Sequence, residues 1–468
     1  MTEVKQKAVK SVKVKRGEAG VTACGGLALV ERLALRLGLF QELTKSLPPR
    51  AGHYKVWGEV IHAAVAGLLS GSRGTYAMEA LREDEALLAL LGLEEAPEEA
   101  TFWRMLGELG REEIRAILGR VRRLWVRRII PAMKRKALLW EGFVPVFGDG
   151  SLLEGSRRRE GTTYIRDKGE GLMWSTWFVG PFLVGERLAA KGEGEQTAIR
   201  AMLPEVVEEV LAPLRLAEQA LLMLDSLHGD GPTLDAIESY ALHYIIGANK
   251  LRETERVLSE QPEIVWIDTG AQPGRGWSES AVCVCWLQCS TWATKRILVG
   301  RRWKREGEML YEYAGVVTDL EDSDVAAIRR RDRVTYGEAI WHLYDGKMAY
   351  ENHYKDLLED LDLHHPPCQT LAANRAYYAI ASLAHTLGRA VDLIGGASPE
   401  RGSTVRLDGA PRKRPLPAYK RLWRLIRRLF VLPGRVVRHA RTATVTLLGV
   451  SDRLWEEYER HFVQLGRT

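Results

Sequence analysis

The spacing of apolar and polar residues along the chain predicts helices in its first part and strands after them. Apolar residues recur at helical spacing in residues 27–39, 56–69 and 79–93, which favours amphipathic helices. Short apolar runs replace this pattern from about residue 137, at 144–147, 162–166, 174–184 and 221–224, and are followed by a helix at 233–241 and a strand at 244–247. The order predicts a helical region that precedes an α/β region.

A second group of strands is expected further along the chain. Residues 280–289, 294–303 and 311–319 alternate apolar and polar positions and are separated by turn-like or charged stretches. They lie between Asp225 and Glu351, an interval longer than a single crossover connection requires. The interval is therefore predicted to contain a small β-rich insertion.

Two of the apolar runs are followed by a lone carboxylate. Asp149 comes after the run 144–147, and Asp225 comes after the run 220–224. A carboxylate at the C-terminal end of a buried strand lies at the rim of a sheet, where it reaches solvent and metal. Taken singly, either aspartate is more often a turn residue or a helix N-cap.

A third acid, Glu351, lies in the helical segment 344–355. Two aspartates and a glutamate from distant parts of a chain suit Mg²⁺, a hard cation that takes oxygen ligands from a few carboxylates and from substrate phosphate. Two such ions about 3.5–4 Å apart activate the attacking oxygen and stabilise the leaving oxygen in phosphoryl transfer. The three acids together are a candidate metal site.

The segment from Tyr344 to Lys355 resembles the signature of the DDE transposases of bacterial insertion sequences. In that signature Tyr, two residues, Arg, three residues and Glu are followed by lysines one and two turns further on. Tyr344, Lys347, Glu351 and Lys355 lie at those spacings, with Lys347 at the Arg position. The block that begins at Asp225 is similar to the family's second-aspartate block, and the resemblance runs over most of the chain.

The resemblance implies an α/β fold with a ribonuclease-H-like catalytic domain that carries a β-rich insertion. A helical domain would precede it, and a basic helical C-terminal region would follow it. The implied activity is cleavage of the element's ends and their joining to target DNA by two-metal phosphoryl transfer. The catalytic residues that would hold two Mg²⁺ ions, for which Mn²⁺ can substitute, are Asp149, Asp225 and Glu351. The residues that would contact phosphate are Tyr344, Lys347 and Lys355.

On these grounds the chain divides into six segments. They are a basic tail (1–16), a helical DNA-binding or dimerisation domain (17–140), the first part of the catalytic core (141–250), the β-rich insertion (251–320), the last part of the core with the third acid (321–395) and a basic C-terminal region (396–468). The helical domain suits a helix-turn-helix reader of the element ends and a dimerisation bundle equally well.

Two positions depart from the family pattern. Lys347 keeps the positive charge of the usual Arg but loses the rigid fork that binds phosphate through two hydrogen bonds. Leu358 stands where the second downstream lysine is usual. These departures support an alternative, a transposase-derived DNA-binding protein or regulator that has lost its chemistry. A metal-dependent nuclease without strand transfer is a third interpretation that shares the three acids.

The net charge of +6 is unevenly distributed along the chain. Residues 1–16 contain six basic residues and one acid, and residues 412–441 contain eleven basic residues and no acid. Apolar residues are interleaved with arginines at helical spacing in the second stretch, which predicts a helix whose cationic face includes Arg421, Arg424 and Arg428. Phosphate neutralisation supplies most non-specific affinity for DNA, so double-stranded DNA is the expected partner. Helices that bind anionic membrane surfaces share this pattern.

The remaining features fit a cytoplasmic protein. No apolar stretch reaches the roughly 18 residues that cross a membrane, and the first residues lack the apolar core of a signal peptide. The five cysteines match neither zinc-ligand spacing nor a disulfide framework and are predicted to be apolar packing residues. Synapsis of two element ends suggests a homodimer.

Five tryptophans lie in or beside the predicted insertion and are expected to be mostly core residues of its sheet. The family resemblance implies that an aromatic residue there can stack on a base displaced from the duplex. The sequence does not single out one of them. They are Trp266, Trp277, Trp286, Trp292 and Trp303.

Overall fold

The structure, a computed structural model, describes most of the chain. The described residues are 19–49, 56–132, 138–156, 158–165, 169–248, 252–395, 400–401, 417–418, 421–439 and 442–467. Within these ranges, the side chains at 124, 132, 349–352, 400–401 and 417–418 are outside the description. The basic tail predicted at 1–16 also lies outside the described residues.

The first part of the described chain is helical, and each of the three segments predicted to be helical contains a helix. After β1 (Val21–Thr22) the helices are α1 (Ala28–Leu37), α2 (Leu39–Ser46), α3 (Trp57–Leu69), α4 (Ala77–Arg82), α5 (Glu85–Leu91), α6 (Glu99–Glu108), α7 (Arg111–Leu124) and α8 (Ile130–Ala132). A π-helical turn, Trp125–Ile129, joins α7 to α8. Apolar faces of these helices pack on one another, with Leu29, Leu33 and Ile61 almost inaccessible to solvent.

A ten-stranded mixed sheet follows the helices and confirms the α/β class. Its strands are β2 (Val144–Glu154), β3 (Thr163–Ile165), β4 (Gly169–Val179), β5 (Phe182–Leu188), β6 (Ala220–Leu224), β7 (His243–Gly247), β8 (Ile267–Asp268), β9 (Glu279–Leu287), β10 (Arg296–Lys304) and β11 (Glu312–Thr318). The spatial order is β3-β4-β2-β6-β7-β11-β10-β9-β8, and β5 pairs with β4.

Strand direction divides this sheet into three parts. β4 pairs antiparallel with both β2 and β5. β2, β6 and β7 are parallel, with α9 (Glu195–Val206) between β5 and β6 and α10 (Gly231–Ser239) between β6 and β7. β11, β10, β9 and β8 then continue the sheet antiparallel from β7. The carboxyl ends of β6 and β7 consequently share one edge.

Five more helices in the described part of the chain follow strands of this sheet. They are α11 (Arg252–Ser259), which follows β7, and α12 (Ala326–Asp332), α13 (Tyr336–Asp345), α14 (Lys347–Lys355) and α15 (Leu371–Ile394), which follow β11. α13 begins with a capping box formed by Thr335 and Glu338. The long helix α15 packs against α3, α6, α7 and β5 and is buried along almost its whole length.

The C-terminal region is not wholly helical, which corrects the prediction for residues 396–468. β12 (Glu400–Arg401) pairs with β13 (Pro417–Ala418), and α16 (Leu422–Leu425) continues as the π-helical turn Ile426–Phe430. The hairpin of β14 (Gly434–His439) and β15 (Thr442–Leu447) then precedes α17 (Asp452–Leu465). Burial alternates along both hairpin strands, the period of a half-buried strand. β1 pairs with β14, so the two ends of the described chain meet in one small sheet.

Two further predictions need correction. β2 continues past Asp149 to Glu154, because its second half pairs with β4 after the pairing with β6 has ended. The three strands of the predicted insertion exist as β9, β10 and β11, but they extend the main sheet through the pairing of β11 with β7 and do not form a separate small sheet.

Across the described residues, the search for a helix long and apolar enough to span a bilayer found none.

Candidate active site

Asp149 and Asp225 lie at the same level of two neighbouring parallel strands. The parallel pairing of β2 with β6 ends with Phe147 opposite Met223. The same register carried two residues further sets Asp149 opposite Asp225. The strands no longer pair at this level, but the Asp225 charge acts on the Asp149 carboxyl, so these two predicted acids lie near each other at the carboxyl end of β6.

Asp149 carries the signature of a crowded acidic site. Burial raises the pKa of its carboxyl to about 6, and the negative charges of Glu195 and Asp225 raise it as well. The positive charge of Lys347 and a hydrogen bond from the Gly150 N–H to Asp149 Oδ1, at 2.8 Å, oppose the rise. Three carboxylates and one ammonium group therefore act on one another at this edge of the sheet.

Asp225 is also the N-cap of the turn that follows it. Its Oδ1 accepts a hydrogen bond from the Leu227 N–H at 2.9 Å and so caps the turn Ser226–His228. The capping interpretation of this residue is correct in the structure. It is compatible with a metal site, because an ionised carboxylate has two oxygens with about four acceptor positions.

Two side chains that the sequence did not single out complete the cluster. Glu195 is the first residue of α9, and its side chain is only 5% exposed. Its Oε1 lies 3.1 Å from Nε2 of the fully buried His228, and the same nitrogen lies 3.7 Å from Asp225 Oδ1. His228 thus bridges the two carboxylates. The short spacing from Asp225 to His228 was a local signal for the histidine, whereas no local pattern links Glu195 to Asp149.

Tyr344 and Lys347 reach the same edge from α13 and α14. A Cβ placed on Gly247, at the end of β7, would lie 2.6 Å from Tyr344 Oη and 2.9 Å from the Ser226 nitrogen. The Tyr344 hydroxyl therefore packs against the carboxyl ends of β6 and β7. Lys347 is buried, and its charge lowers the pKa of Asp149. The structure brings both of these predicted residues to the cluster.

Glu351 lies in the middle of α14, and its side chain is among those outside the description. The helix itself is attached to the first acid by Tyr354. The Tyr354 hydroxyl donates to the main-chain oxygen of Asp149 at 2.5 Å and is also hydrogen-bonded to Thr176 Oγ1. The Tyr354 side chain therefore links α14 to the backbone of Asp149. Sequence reasoning missed Tyr354, although it falls inside the segment that carries the family resemblance.

Lys355 and Leu358 lie at the other end of this helical segment. Lys355 is exposed, and its main-chain oxygen accepts a hydrogen bond from Arg421 Nη2 at 3.2 Å. Leu358 is half-buried and packs against the hydrophobic core. Leu358 is therefore a packing residue in this chain.

The three arginines predicted to contact DNA are placed differently from one another. Arg421 pairs with Asp360 and with Glu359, whose Oε2 lies 2.9 Å from Nη2. Arg428 is exposed but pairs with Glu457 on α17. Arg424 is exposed, with its guanidinium 5.7 Å from the centroid of the Trp423 ring. Arg421 and Arg428 thus form ion pairs with acidic residues of the same chain. Only the surroundings of Arg424 match the prediction.

The acids present suit a hard divalent cation in their chemistry. Asp149 and Asp225 offer carboxylate oxygens, which Mg²⁺ prefers, and the excess of negative charge around Asp149 would be relieved by a cation. Within the part of the chain that the structure describes, no group of three His, Cys, Asp or Glu side chains is arranged to hold a metal ion. The side chain of Glu351 lies outside that part of the chain.

The tryptophans of the predicted insertion are mostly core residues, as expected. Trp266, Trp277 and Trp292 are buried, and Trp277 stacks on Trp303 with ring centroids 4.8 Å apart. Trp286 differs, because it is 56% exposed on β9 and lies 5.0 Å from the Lys295 ammonium. All five cysteines are free, and all but Cys285 are buried, as expected of packing residues.

Comparisons with known proteins add little to this description. No family model matches the sequence, and a search of curated proteins found no similar sequence. Among solved structures, the chain is similar to a piggyBac transposase in a synaptic complex with hairpin DNA, at 12% identity and a TM-score of 0.40. The similarity covers 87% of this chain and 80% of that chain. A likeness of this size supports no functional conclusion.

Proposed function

We propose that the chain is a DDE transposase of a bacterial insertion sequence, which cleaves the ends of its element and joins them to target DNA. The observation that carries this proposal is the proximity of the Asp149 and Asp225 carboxylates, together with the hydrogen bond from Tyr354 on α14, the helix of Glu351, to the main-chain oxygen of Asp149. Acids from three distant parts of the sequence would then share one edge of the sheet. That arrangement is what two-metal phosphoryl transfer requires.

The strand order supports a ribonuclease-H-like catalytic core. The antiparallel strands β2, β4 and β5 come first in the chain, and the parallel strands β6 and β7 follow, each preceded by a helix. The acids lie where the direction of pairing changes, between β2 and β6. Carboxyl ends of strands at such a point are the usual place for a ligand in an open sheet.

Each side chain of the cluster has a role in the proposed reaction. When bound, two Mg²⁺ ions would activate the attacking oxygen and stabilise the leaving oxygen. Asp149, Asp225 and Glu351 would hold the ions. Lys347 keeps a positive charge beside Asp149, where it would contact the reacting phosphate.

Two further side chains would hold these groups in place. His228, hydrogen-bonded to Glu195, lies 3.7 Å from Asp225 Oδ1, where it would help to orient that carboxylate. The Tyr344 hydroxyl supports the end of β6, next to the same acid. Lys355, exposed at the end of α14, is placed to meet DNA beyond the cluster.

Double-stranded DNA is the proposed partner, and two protomers would hold the two element ends together. Arg424 and Arg427 are exposed on the helix of residues 422–430 and flank the exposed ring of Trp423. Exposed guanidinium groups of this kind suit phosphate contacts. Arg421 and Arg428 are left out of this surface because acidic partners already neutralise them.

A second candidate, a transposase-derived DNA-binding protein without chemistry, keeps the support of Lys347 and Leu358. Both functions predict DNA binding. They differ in whether Mg²⁺ or Mn²⁺ permits strand cleavage. Cleavage is therefore the decisive measurement.

The test uses the full-length protein and duplexes that contain the DNA flanking its own coding sequence. Cleaved and joined strands are measured with Mg²⁺ and with Mn²⁺, and DNA affinity is measured in chelator. We expect metal-dependent cleavage by the parent and its loss in Asp149→Asn, Asp225→Asn and Glu351→Gln, with DNA affinity retained. Parent protein that binds DNA without cleaving it would favour the second candidate.

Asp319→Asn is the matched control for these variants. Asp319 also follows a strand, β11, but at the opposite edge of the sheet, where it bonds His243 Nδ1 at 2.8 Å and the Tyr244 N–H at 2.7 Å. Its replacement removes a strand-end carboxylate of equal charge and should leave cleavage in place. If Asp149→Asn or Asp225→Asn cleaves DNA as well as Asp319→Asn does, the aspartate replaced in that variant is not part of the site.

A further inference from the structure

The hydroxyl of Tyr354 connects the helix of the third acid to the strand of the first. Thr176 on β4 and Asp149 on β2 are cross-strand partners. Tyr354 reaches across from α14, donates to the Asp149 main-chain oxygen at 2.5 Å and bonds Thr176 Oγ1. A tyrosine hydroxyl has one proton, so Thr176 is the donor in the second bond. The chain of bonds runs from Thr176 through Tyr354 to Asp149.

Tyr354 lies on the same face of α14 as positions 347 and 351. Residues 347, 351 and 354 are spaced as i, i+4 and i+7, so they belong to one face of α14. Lys347 and Tyr354, at the two ends of that stripe, both act on Asp149, the first through its charge and the second through its hydroxyl. Position 351 lies between them on the face that meets the strand.

The rest of the contact is built from apolar packing. Tyr354 is buried, and its ring lies 5.6 Å from that of Phe178. At the start of α14, Gly346 lies against the Trp140 ring, where a Cβ would come within 2.3 Å of Trp140 Cη2. This packing holds the helix on the sheet without the hydroxyl. The hydroxyl adds a directed bond at the level of Asp149, which apolar packing does not supply.

We infer that Tyr354 is a positioning residue, whose hydroxyl sets the distance between the helical position of Glu351 and Asp149. The inference rests on the proposed function, because it assigns Tyr354 to the metal site of that function. Without the hydroxyl the helix stays on the sheet, but the third acid is held less closely to the first. Misplacement of a reacting group by about 1 Å costs on the order of a hundredfold in rate.

The test compares Tyr354→Phe with Tyr378→Phe, a matched loss of one hydroxyl. Tyr378, on α15, is also buried, and its hydroxyl also donates to a main-chain oxygen, that of Leu363. Mn²⁺ affinity is measured by the paramagnetic resonance of free Mn²⁺, and Tm is measured in chelator and with Mg²⁺. Cleavage is followed as a function of Mg²⁺ concentration, and DNA affinity is measured in chelator.

We expect similar decreases in Tm for the two variants in chelator and unchanged DNA affinity in both. Of these two tyrosine variants, only Tyr354→Phe should require more metal for cleavage. Its half-saturating Mg²⁺ concentration and its Mn²⁺ Kd should both be raised about tenfold or more. High metal concentration should restore part of its cleavage. Thr176→Val, which removes the donor to Tyr354 at nearly constant shape, should change the metal dependence in the same direction by a smaller factor.

The outcomes separate this inference from the proposed function. The first outcome concerns the positioning role alone. If the parent binds metal and cleaves DNA, but Tyr354→Phe and Thr176→Val have the same metal dependence as Tyr378→Phe, the positioning role is overturned and the proposed function stands. A parent that neither binds Mn²⁺ nor cleaves overturns the proposed metal site and the positioning role with it. If Tyr354→Phe does not fold, the metal dependence of Thr176→Val decides the question.

Discussion

The Glu195 carboxyl group packs directly against Gly150, the residue that follows Asp149. A Cβ placed on Gly150 would lie 2.4 Å from Glu195 Cδ and 2.7 Å from its Oε2. Real Cβ atoms essentially never come this close to another heavy atom, so either the strand or the Glu195 side chain must move to admit any other residue. The absence of a side chain at position 150 is therefore what allows a second carboxylate to approach Asp149.

Gly150→Ala should consequently displace Glu195 and weaken the site. We expect a loss of about 1–3 kcal/mol in the free energy of unfolding, the usual cost of overpacking, together with reduced cleavage. Urea denaturation and the cleavage assay measure the two effects. Gly107→Ala in α6 is the control, because a Cβ there meets nothing within 4 Å, and it should cost no stability.

A double variant tests the cause of that effect. If Gly150 is needed only to leave room for Glu195, then Gly150→Ala combined with Glu195→Ala should be no less stable than Glu195→Ala alone. Additive losses would instead show that Gly150 matters for the strand itself, and the explanation by crowding with Glu195 would be wrong.

Glu186 should make the stability of the protein depend on pH. Burial raises the pKa of this carboxyl to about 7, against an ordinary value of 4.5, although the Trp174 indole N–H donates to it at 2.7 Å. Between pH 4.5 and about pH 7, the carboxyl is therefore protonated in the folded state and ionised in the unfolded state. The free energy of unfolding contributed by this group is greatest below about pH 4.5 and falls as pH rises to about 7.

Glu186→Gln removes this penalty, because the amide stays neutral and keeps an oxygen for the Trp174 N–H. Relative to the parent, the variant should be nearly unchanged at pH 4.5 and more stable at pH 8 by about 3 kcal/mol, since each pKa unit corresponds to about 1.4 kcal/mol. Urea midpoints at the two pH values measure the difference. Glu456→Gln on the exposed face of α17 is the control, and a pH-independent difference for Glu186→Gln would contradict the assignment.

Arg421 and Arg424 should respond to replacement in opposite ways. Arg421→Ala leaves the almost inaccessible carboxylates of Asp356 and Asp360 with fewer partners and should lower the free energy of unfolding by about 1–3 kcal/mol. Arg424→Ala should leave Tm unchanged and weaken DNA binding, reducing the slope of log affinity against log salt by about one unit.

Thermal melts and DNA titrations at several salt concentrations distinguish the two arginines. Arg427→Ala, next to the same Trp423 ring, should behave like Arg424→Ala. A fall in Tm for Arg424→Ala, or a reduced salt slope with unchanged Tm for Arg421→Ala, would reverse the roles assigned to them.

Local patterns in the sequence were sufficient for most of the elements and for part of the candidate site. Helical spacing located α1, α3 and α5, and short apolar runs located β2, β6 and β7, because burial on one side of an element leaves a period in the sequence. Asp149 and Asp225 could be selected because each follows a short apolar run, and Tyr344 and Lys347 could be selected from the family resemblance. The structure brings these four side chains to one edge of the sheet.

Only the tertiary structure decided which distant groups meet. Glu195 acts on Asp149 from the first turn of α9, and Tyr354 reaches from α14 to Asp149 on β2 and Thr176 on β4. Arg421 has acidic neighbours because α16 packs on the segment that follows α14. The pairing of β11 with β7, which joins the predicted insertion to the main sheet, was also decided by the tertiary structure. A local pattern shows which residues are buried or charged, but it contains no information about the partner that burial or charge will find across the fold.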